Sequence, residues 1–229
     1  RPNPSSSPPA TTVSPMTDVG APVTTPARLR TIVLVVAALN LAYFFVEVGV
    51  ALAIGSVALL ADSVDFLEDT AVNVIIALAL GLPLAARARA GKVMAVIICV
   101  PAVAAAWQAF AKAGDPTPPD VPLLALTAGG AAVVNLVCAL ILARIRSHGG
   151  SMTTAAFLAA RNDVLVNVLI IAMAGVTAWT VSGWPDIVLG VVIILLNLAA
   201  AKEVWEVAES ESLAARALAG EDPEEDDDE

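Results

Sequence analysis

The sequence predicts an all-α polytopic membrane protein of six transmembrane helices, built as an inverted-topology repeat of two three-helix halves with both termini cytoplasmic. Three observations carry that expectation. The 229 residues are 58% hydrophobic and only 15% charged, where soluble domains average roughly a quarter charged, and the mean hydropathy is +0.82. Six windows are apolar over the roughly 20 residues that a helix needs to cross the hydrocarbon layer. Basic residues alternate from one connection to the next. This composition excludes a soluble enzyme domain, and a net charge of −10 argues against nucleic acid as a partner. The partner that the windows require is the lipid bilayer.

Residues 1–27 are rich in Pro, Ser and Thr, lack an aliphatic run and predict a disordered cytoplasmic tail rather than a secretory signal. The first residue is Arg1, so the chain reads as a processed or truncated product. The transmembrane domain is expected over 28–202, with spans at about 31–54, 57–82, 92–112, 121–144, 153–181 and 185–203. Short connections join them: Gly55-Ser56, a basic stretch from Ala85 to Gly91, a three-proline loop from Ala113 to Asp120, Ile145 to Ser151, and Ser182-Gly183-Trp184-Pro185. Arg28, Arg30, Arg87, Arg89, Lys92, Arg144, Arg146 and Lys202 fall on one face and Lys112 alone on the other. The positive-inside rule therefore puts both termini in the cytoplasm, at the cell (plasma or inner) membrane. Trp179 and Trp184 flank the opposite ends of spans five and six, where an amphipathic ring anchors at headgroups. Residues 203–220 read as a helical extension of span six, with Val204, Val207, Leu213 and Leu218 as scattered apolar positions, and 221–229 as an acidic disordered tail. Cys99 and Cys138 sit inside apolar runs as packing residues, without a disulfide framework.

An ionisable side chain inside a span costs a few kcal/mol, so each one asks for a partner or a task. Six carboxylates and one guanidinium qualify: Glu47, Asp62, Asp65, Glu68, Asp69 and Asp163, with Arg161. At helical spacing Asp62, Asp65 and Asp69 lie within about 60° of one another, and Asn73 continues the stripe. Carboxylates this close stay ionised together only beside a cation, and otherwise some take up protons. That is the electrostatic pattern of a cation and proton exchanger, with Asp65 and Asp69 its centre. Asp62 and Glu68 are either functional or residues of a wet span end, and Arg161 is available to hold Asp163 or Glu68 in a salt bridge.

Glu68 to Gly81, EDTAVNVIIALALG, and Asn162 to Gly175, NDVLVNVLIIAMAG, share Asp, Val, Asn, Val, Ile and Gly at matched positions. Asn40-Leu41 and Asn135-Leu136 precede the two aspartates at nearly the same distance. Three-span halves insert with opposite orientation, so Asp69 and Asp163 become pseudo-symmetric and meet near the bilayer midplane. Their companions differ: four residues before Asp69 stands Asp65, but four before Asp163 stands Ala159, which leaves Asn162, Asn167 or water to complete the second half.

The run from Gly55 to Asp69, GSVALLADSVDFLED, resembles the second-span signature of the cation diffusion facilitator family, and Arg161 to Asn167, RNDVLVN, is similar to the fifth-span element of a bacterial branch of it. The resemblance covers about 31–209. It implies a six-span transporter, usually a homodimer, that exports zinc or another divalent metal from the cytoplasm in exchange for protons. Its metal ligands would be Asp65, Asp69 and Asp163, with the remaining family ligand falling on Ala159 and Asn162 or Asn167 as substitutes. Glu47, Asp62, Glu68 and Arg161 are auxiliary. Only 27 residues follow Lys202, too few for the family's C-terminal cytoplasmic domain, so a branch lacking it is expected, with any dimer formed through the transmembrane helices. The loop between spans four and five offers only His148, read as a solvated residue.

Oxygen donors favour manganese, iron, cobalt or magnesium, while the resemblance favours zinc, which stands as the first expectation with cadmium also admitted. The metal is cargo rather than cofactor, and protons are its counter-ion. A passive cation channel and a non-transporting scaffold are the alternatives. No nucleophile–base pair, phosphate loop or HExxH motif occurs, so no enzyme is expected.

Overall fold

The computed structural model describes residues 25–79, 81–145 and 150–220. The expectations for residues 1–24, His148 and the acidic run 221–229 lie outside the described residues. Six helices make up the bundle: α1 Pro26–Ile54, α2 Val57–Ala79, α3 Leu84–Ala113, α4 Val121–Ala143, α5 Gly150–Thr180 and α6 Trp184–Ala219. Among the described residues there is no strand. The chain is a polytopic all-α membrane protein.

Local chemistry sets the helix ends. Thr25 caps α1 by accepting from the Arg28 N–H at 3.4 Å, and Pro26 occupies its first turn, where a missing N–H does no harm. α1 stops at Gly55, whose φ of 68° is the left-handed conformation that a residue without Cβ adopts freely. Asp120 caps α4 by accepting from the Leu123 N–H at 2.9 Å. Pro101 lies inside α3, where a bundle of neighbouring helices tolerates it.

Five helices, α1, α3, α4, α5 from Ala155 and α6, are long and apolar enough to cross a membrane by themselves. The exception is α2, which carries Asp62, Asp65, Glu68 and Asp69. Its 23 residues reach about 35 Å at 1.5 Å per residue, sufficient to cross. It is the inner helix, packed on α1, α3, α5 and α6. Large apolar side chains face outward from the other helices: Trp107 is 71% exposed, Leu126 73% and Trp179 86%. This is the surface that a lipid solvent stabilises.

The connection expected before span three needs correction. The stretch from Ala85 to Gly91, read as a connection, forms the first two turns of α3, because Pro83 is the last breaker and nothing between Leu84 and Ala90 interrupts a helix. Arg87 and Arg89 are therefore held on a helix. Gly91, also within α3, lies where α6 comes so close that a Cβ would stand 2.8 Å from the Ala208 Cβ. α6 continues without a break to Ala219.

The packing follows the repeat in most respects. Contact of α1 with α2 is matched by α4 with α5, and α2 with α3 by α5 with α6, while α1–α4, α2–α5 and α3–α6 each pair a helix with its counterpart. Asn40 and Asn135, the matched asparagines, are both buried.

At the end of the bundle opposite Arg87 and Lys202, α2 is fastened to α6. The buried Asp186 carboxylate accepts from Ser56 Oγ at 2.6 Å, Val57 N–H at 2.9 Å, Ala58 N–H at 3.2 Å and Lys112 Nζ at 3.1 Å. Gly190 on α6 makes this approach possible, since a Cβ there would lie 2.5 Å from Val57 Cγ1 and 2.7 Å from the Val57 carbonyl carbon. The second neighbour is backbone and cannot rotate away. Gly190→Ala is expected to destabilise the detergent-solubilised protein by about 1–3 kcal/mol, the usual cost of overpacking, read as a lowered melting temperature. An unchanged melting temperature would mean that α6 slides past α2 freely.

Candidate functional site

Helical spacing places Asp65 and Asp69 on one face of α2, one turn apart. Nearby polar groups are turned to the helix backbone: Asn73 Nδ2 donates to the Asp69 carbonyl at 2.8 Å, and Thr70 Oγ1 donates to the Phe66 carbonyl at 2.7 Å. Among the described residues the side chains of Asp65 and Asp69 make no ion pair.

Both face a cavity of about 210 Å³ lined by Asp65, Glu68 and Asp69 from α2, by Ala159, Asn162, Asp163 and Val166 from α5, and by Ile193, Leu196 and Asn197 from α6. Asp69 and Asp163, half a chain apart, thus share one chamber. Asp163 lies within electrostatic reach of Asp69, Asp62 and Glu68, and among the described residues no Lys or Arg lines the cavity. Such a chamber attracts a cation, since none of the described basic side chains reaches its walls. Among the described residues no three Asp, Glu, His or Cys side chains are drawn into a tight metal cage. The chamber has room for several waters, and Ala159 forms wall rather than ligand.

A second cavity, of about 320 Å³, adjoins the first toward the basic end. Glu68 and Ala159 line both. Its other polar walls are Arg87 from α3 and Glu203 and Glu211 from the extension of α6. Arg87 Nη2 forms an ion pair with Glu211 Oε1, and Lys92 Nζ sits 5.4 Å from the centre of the Trp205 ring, so the extension of α6 is tied to α3 by charge as well as by the Gly91 contact.

The remaining acids are elsewhere. Asn167 does not line the central cavity; its Nδ2 donates to Asp62 Oδ2 at 2.7 Å. Glu47, on α1, is fully buried and neighbours Asp62. Arg161 corrects an expectation: it is exposed, its Nη2 donates to Asn162 Oδ1 at 3.3 Å, and among the described residues it pairs with neither Asp163 nor Glu68.

Two polar residues escape a reading that counts charges within spans. Asn197 lines the cavity and donates from Nδ2 to the Ala61 carbonyl at 2.8 Å; the signal is a lone amide in the aliphatic run Ile193-Ile194-Leu195-Leu196-Asn197-Leu198. Asp186 sits at a span end, where an acid draws no notice, and its signal is Lys112, the one basic residue on that face.

An apolar bundle whose inner helix carries carboxylates into a chamber shared with α5 and α6 is the anatomy of a multi-pass membrane protein that handles cations. The chain belongs to the cation efflux family: the model of the cation efflux transmembrane domain matches residues 90–210, more than half of the 229 residues. The match runs from α3 through most of α6 and takes in Asn162, Asp163 and Asn197; α2 precedes it. No curated protein matches the chain. The family transports divalent metal cations and is not a family of enzymes.

Proposed function

We propose that the protein exports a divalent transition metal from the cytoplasm across the cell membrane in exchange for protons, with Asp65, Asp69 and Asp163 as ligands and Asn162 supplementing them. The observation that carries this reading is the chamber in which carboxylates from both halves of the repeat converge without a basic side chain among its walls. A divalent ion neutralises two carboxylates, and protons do so when the ion leaves. The basic end faces the cytoplasm by the positive-inside rule, which makes the cavity beside Arg87 and Glu211 the cytoplasmic vestibule and Glu68 the acid that joins it to the central chamber. The donor set is all oxygen, so manganese, iron and cobalt fit it at least as well as zinc, and cadmium less well. Two copies associate through transmembrane helices, whose exposed faces are apolar.

The test uses the full chain in proteoliposomes with a metal-sensitive dye inside, offered zinc, manganese, iron, cobalt and cadmium in turn. Metal flux is expected to rise severalfold under an opposing proton gradient and to move protons the other way. Equal flux with the gradient collapsed would identify a passive channel instead, and no flux of any metal would leave a scaffold.

A further inference from the structure

The central chamber takes carboxylates from α2 and α5, and Ala159, four residues before Asp163, adds no donor to them. Two of the amides that could make up the set are compromised. Asn162 lies on the wall but is exposed, and its Oδ1 already accepts from Arg161 Nη2 at 3.3 Å. Asn167 is turned to Asp62 and does not line the cavity. Asn197, on α6, lines the cavity and is only 3% exposed.

The hydrogen bond of Asn197 fixes how its amide is turned. Its Nδ2 donates to the Ala61 carbonyl at 2.8 Å. A carbonyl only accepts, so the nitrogen must be the end that faces Ala61 and Oδ1 the end that faces away. Among the described residues that oxygen accepts from no donor. The Oδ1 atoms of Asn73, Asn135 and Asn167 are also unpartnered, but they are sealed within the packing, whereas Asn197 opens on the chamber. The anchor point is informative as well. In a helix the Ala61 carbonyl also receives the N–H of Asp65, so Asn197 is held at the turn that carries the first carboxylate of the chamber. Asp186, Gly190, Ile193 and Asn197 are spaced four, three and four and share one face of α6, the face that Asp186 and Gly190 hold against the start of α2. A tie between two helices uses the amide nitrogen alone; an oxygen left over inside an acidic chamber is a donor for a cation.

We propose that Asn197 Oδ1 is a ligand of the cargo ion, supplying from α6 the oxygen that Ala159 does not, beside Asp65, Asp69 and Asp163. The proposal rests on the transport reading above and adds a third helix to its site. Three carboxylates already exceed the charge of a divalent ion, so a fourth would have to be protonated or neutralised in turn, whereas an amide adds coordination without charge. It also keeps the donor set hard, in favour of manganese, iron or cobalt over cadmium.

Cobalt(II) binding to the detergent-purified full chain tests this, because the absorption of the ion changes when sulfur replaces oxygen among its ligands. Asn197→Cys is expected to bind cobalt with a near-ultraviolet thiolate-to-metal charge-transfer band that the parent lacks, Cys99 and Cys138 of the parent setting the baseline. Asn197→Ala should lose at least about 10-fold in cobalt affinity, no less than the loss of a group that only orients a ligand, while Asn197→Asp, which keeps an oxygen in place, binds at least as tightly as the parent. Both of these variants lose the bond to Ala61, so a residue that only tied α6 to α2 would affect them alike, and melting temperatures check that each variant folds. Cobalt bound by Asn197→Cys without the band, or equal cobalt affinities of Asn197→Ala and Asn197→Asp, overturns Asn197 as a ligand and leaves the transport reading intact. A parent that binds neither cobalt, manganese nor zinc overturns both.

Discussion

Asp69→Ala is expected to reduce metal flux in proteoliposomes by at least about 100-fold while leaving the protein as stable as the parent or slightly more so. The two halves of that result have one cause. Asp69 is buried and faces the central chamber, and its carboxylate has no ion pair among the described residues. Removing a carboxylate that nothing in the protein neutralises strands no donor and relieves repulsion from Asp65, Glu68 and Asp163. What disappears is the attraction for cargo. Changes to groups that merely orient a ligand cost roughly 10–100-fold in metal affinity, so loss of a ligand sits at or beyond the top of that range. Asp69→Asn keeps the shape and should lose nearly as much, because the charge is what neutralises the ion. Flux within threefold of the parent, from a variant whose melting temperature is unchanged, would remove Asp69 from the site.

What was legible in the sequence follows from what the bilayer penalises. Span lengths could be read because hydrocarbon thickness dictates them, and Asp65, Asp69 and Asp163 stood out because a charge in a span is expensive. That they share a cavity was anticipated by the repeat, which pairs Asp69 with Asp163. Asn197 does not stand out in the sequence because a neutral amide in an aliphatic run carries a smaller penalty than a charge. The helical character of 85–91 is hidden for the opposite reason: Arg87 and Arg89 mark where an apolar run ends, not where the helix does. Asn167 could be placed on the same face as Asp163 by spacing, but that its amide turns to Asp62 on another helix depends on packing that no local pattern encodes.

Asp186→Ala is expected to cost about 3–5 kcal/mol, the penalty for breaking a buried ion pair by removing one partner, and to lower the melting temperature in detergent by on the order of 10 °C. Its carboxylate is 0% exposed and its partner Lys112 is 10% exposed, so the stranded ammonium keeps only the Gly55 carbonyl in a place that water scarcely reaches. The first N–H groups of α2, Val57 and Ala58, lose their acceptor at the same time, and with it the negative charge that suits a helix N-terminus. Ser56 Oγ loses its acceptor but still serves the Leu59 N–H at 3.1 Å. Asp186→Asn retains part of the geometry without the charge and should fall between. Combining Asp186→Asn with Lys112→Met removes both charges, and the double variant is expected to recover part of the loss, because an apolar replacement of a whole pair is often neutral where a half-pair is not. If Asp186→Ala melts with the parent, the joint carries no strain-bearing role. If the double variant is worse than either single change, the pairing of Lys112 with Asp186 is incidental and the cap on α2 alone matters. The joint bears on the central chamber through one helix: α2 is fixed at its Asp186 end and carries Asp62, Asp65 and Asp69 in succession from there, so a loosened joint shifts all three at once.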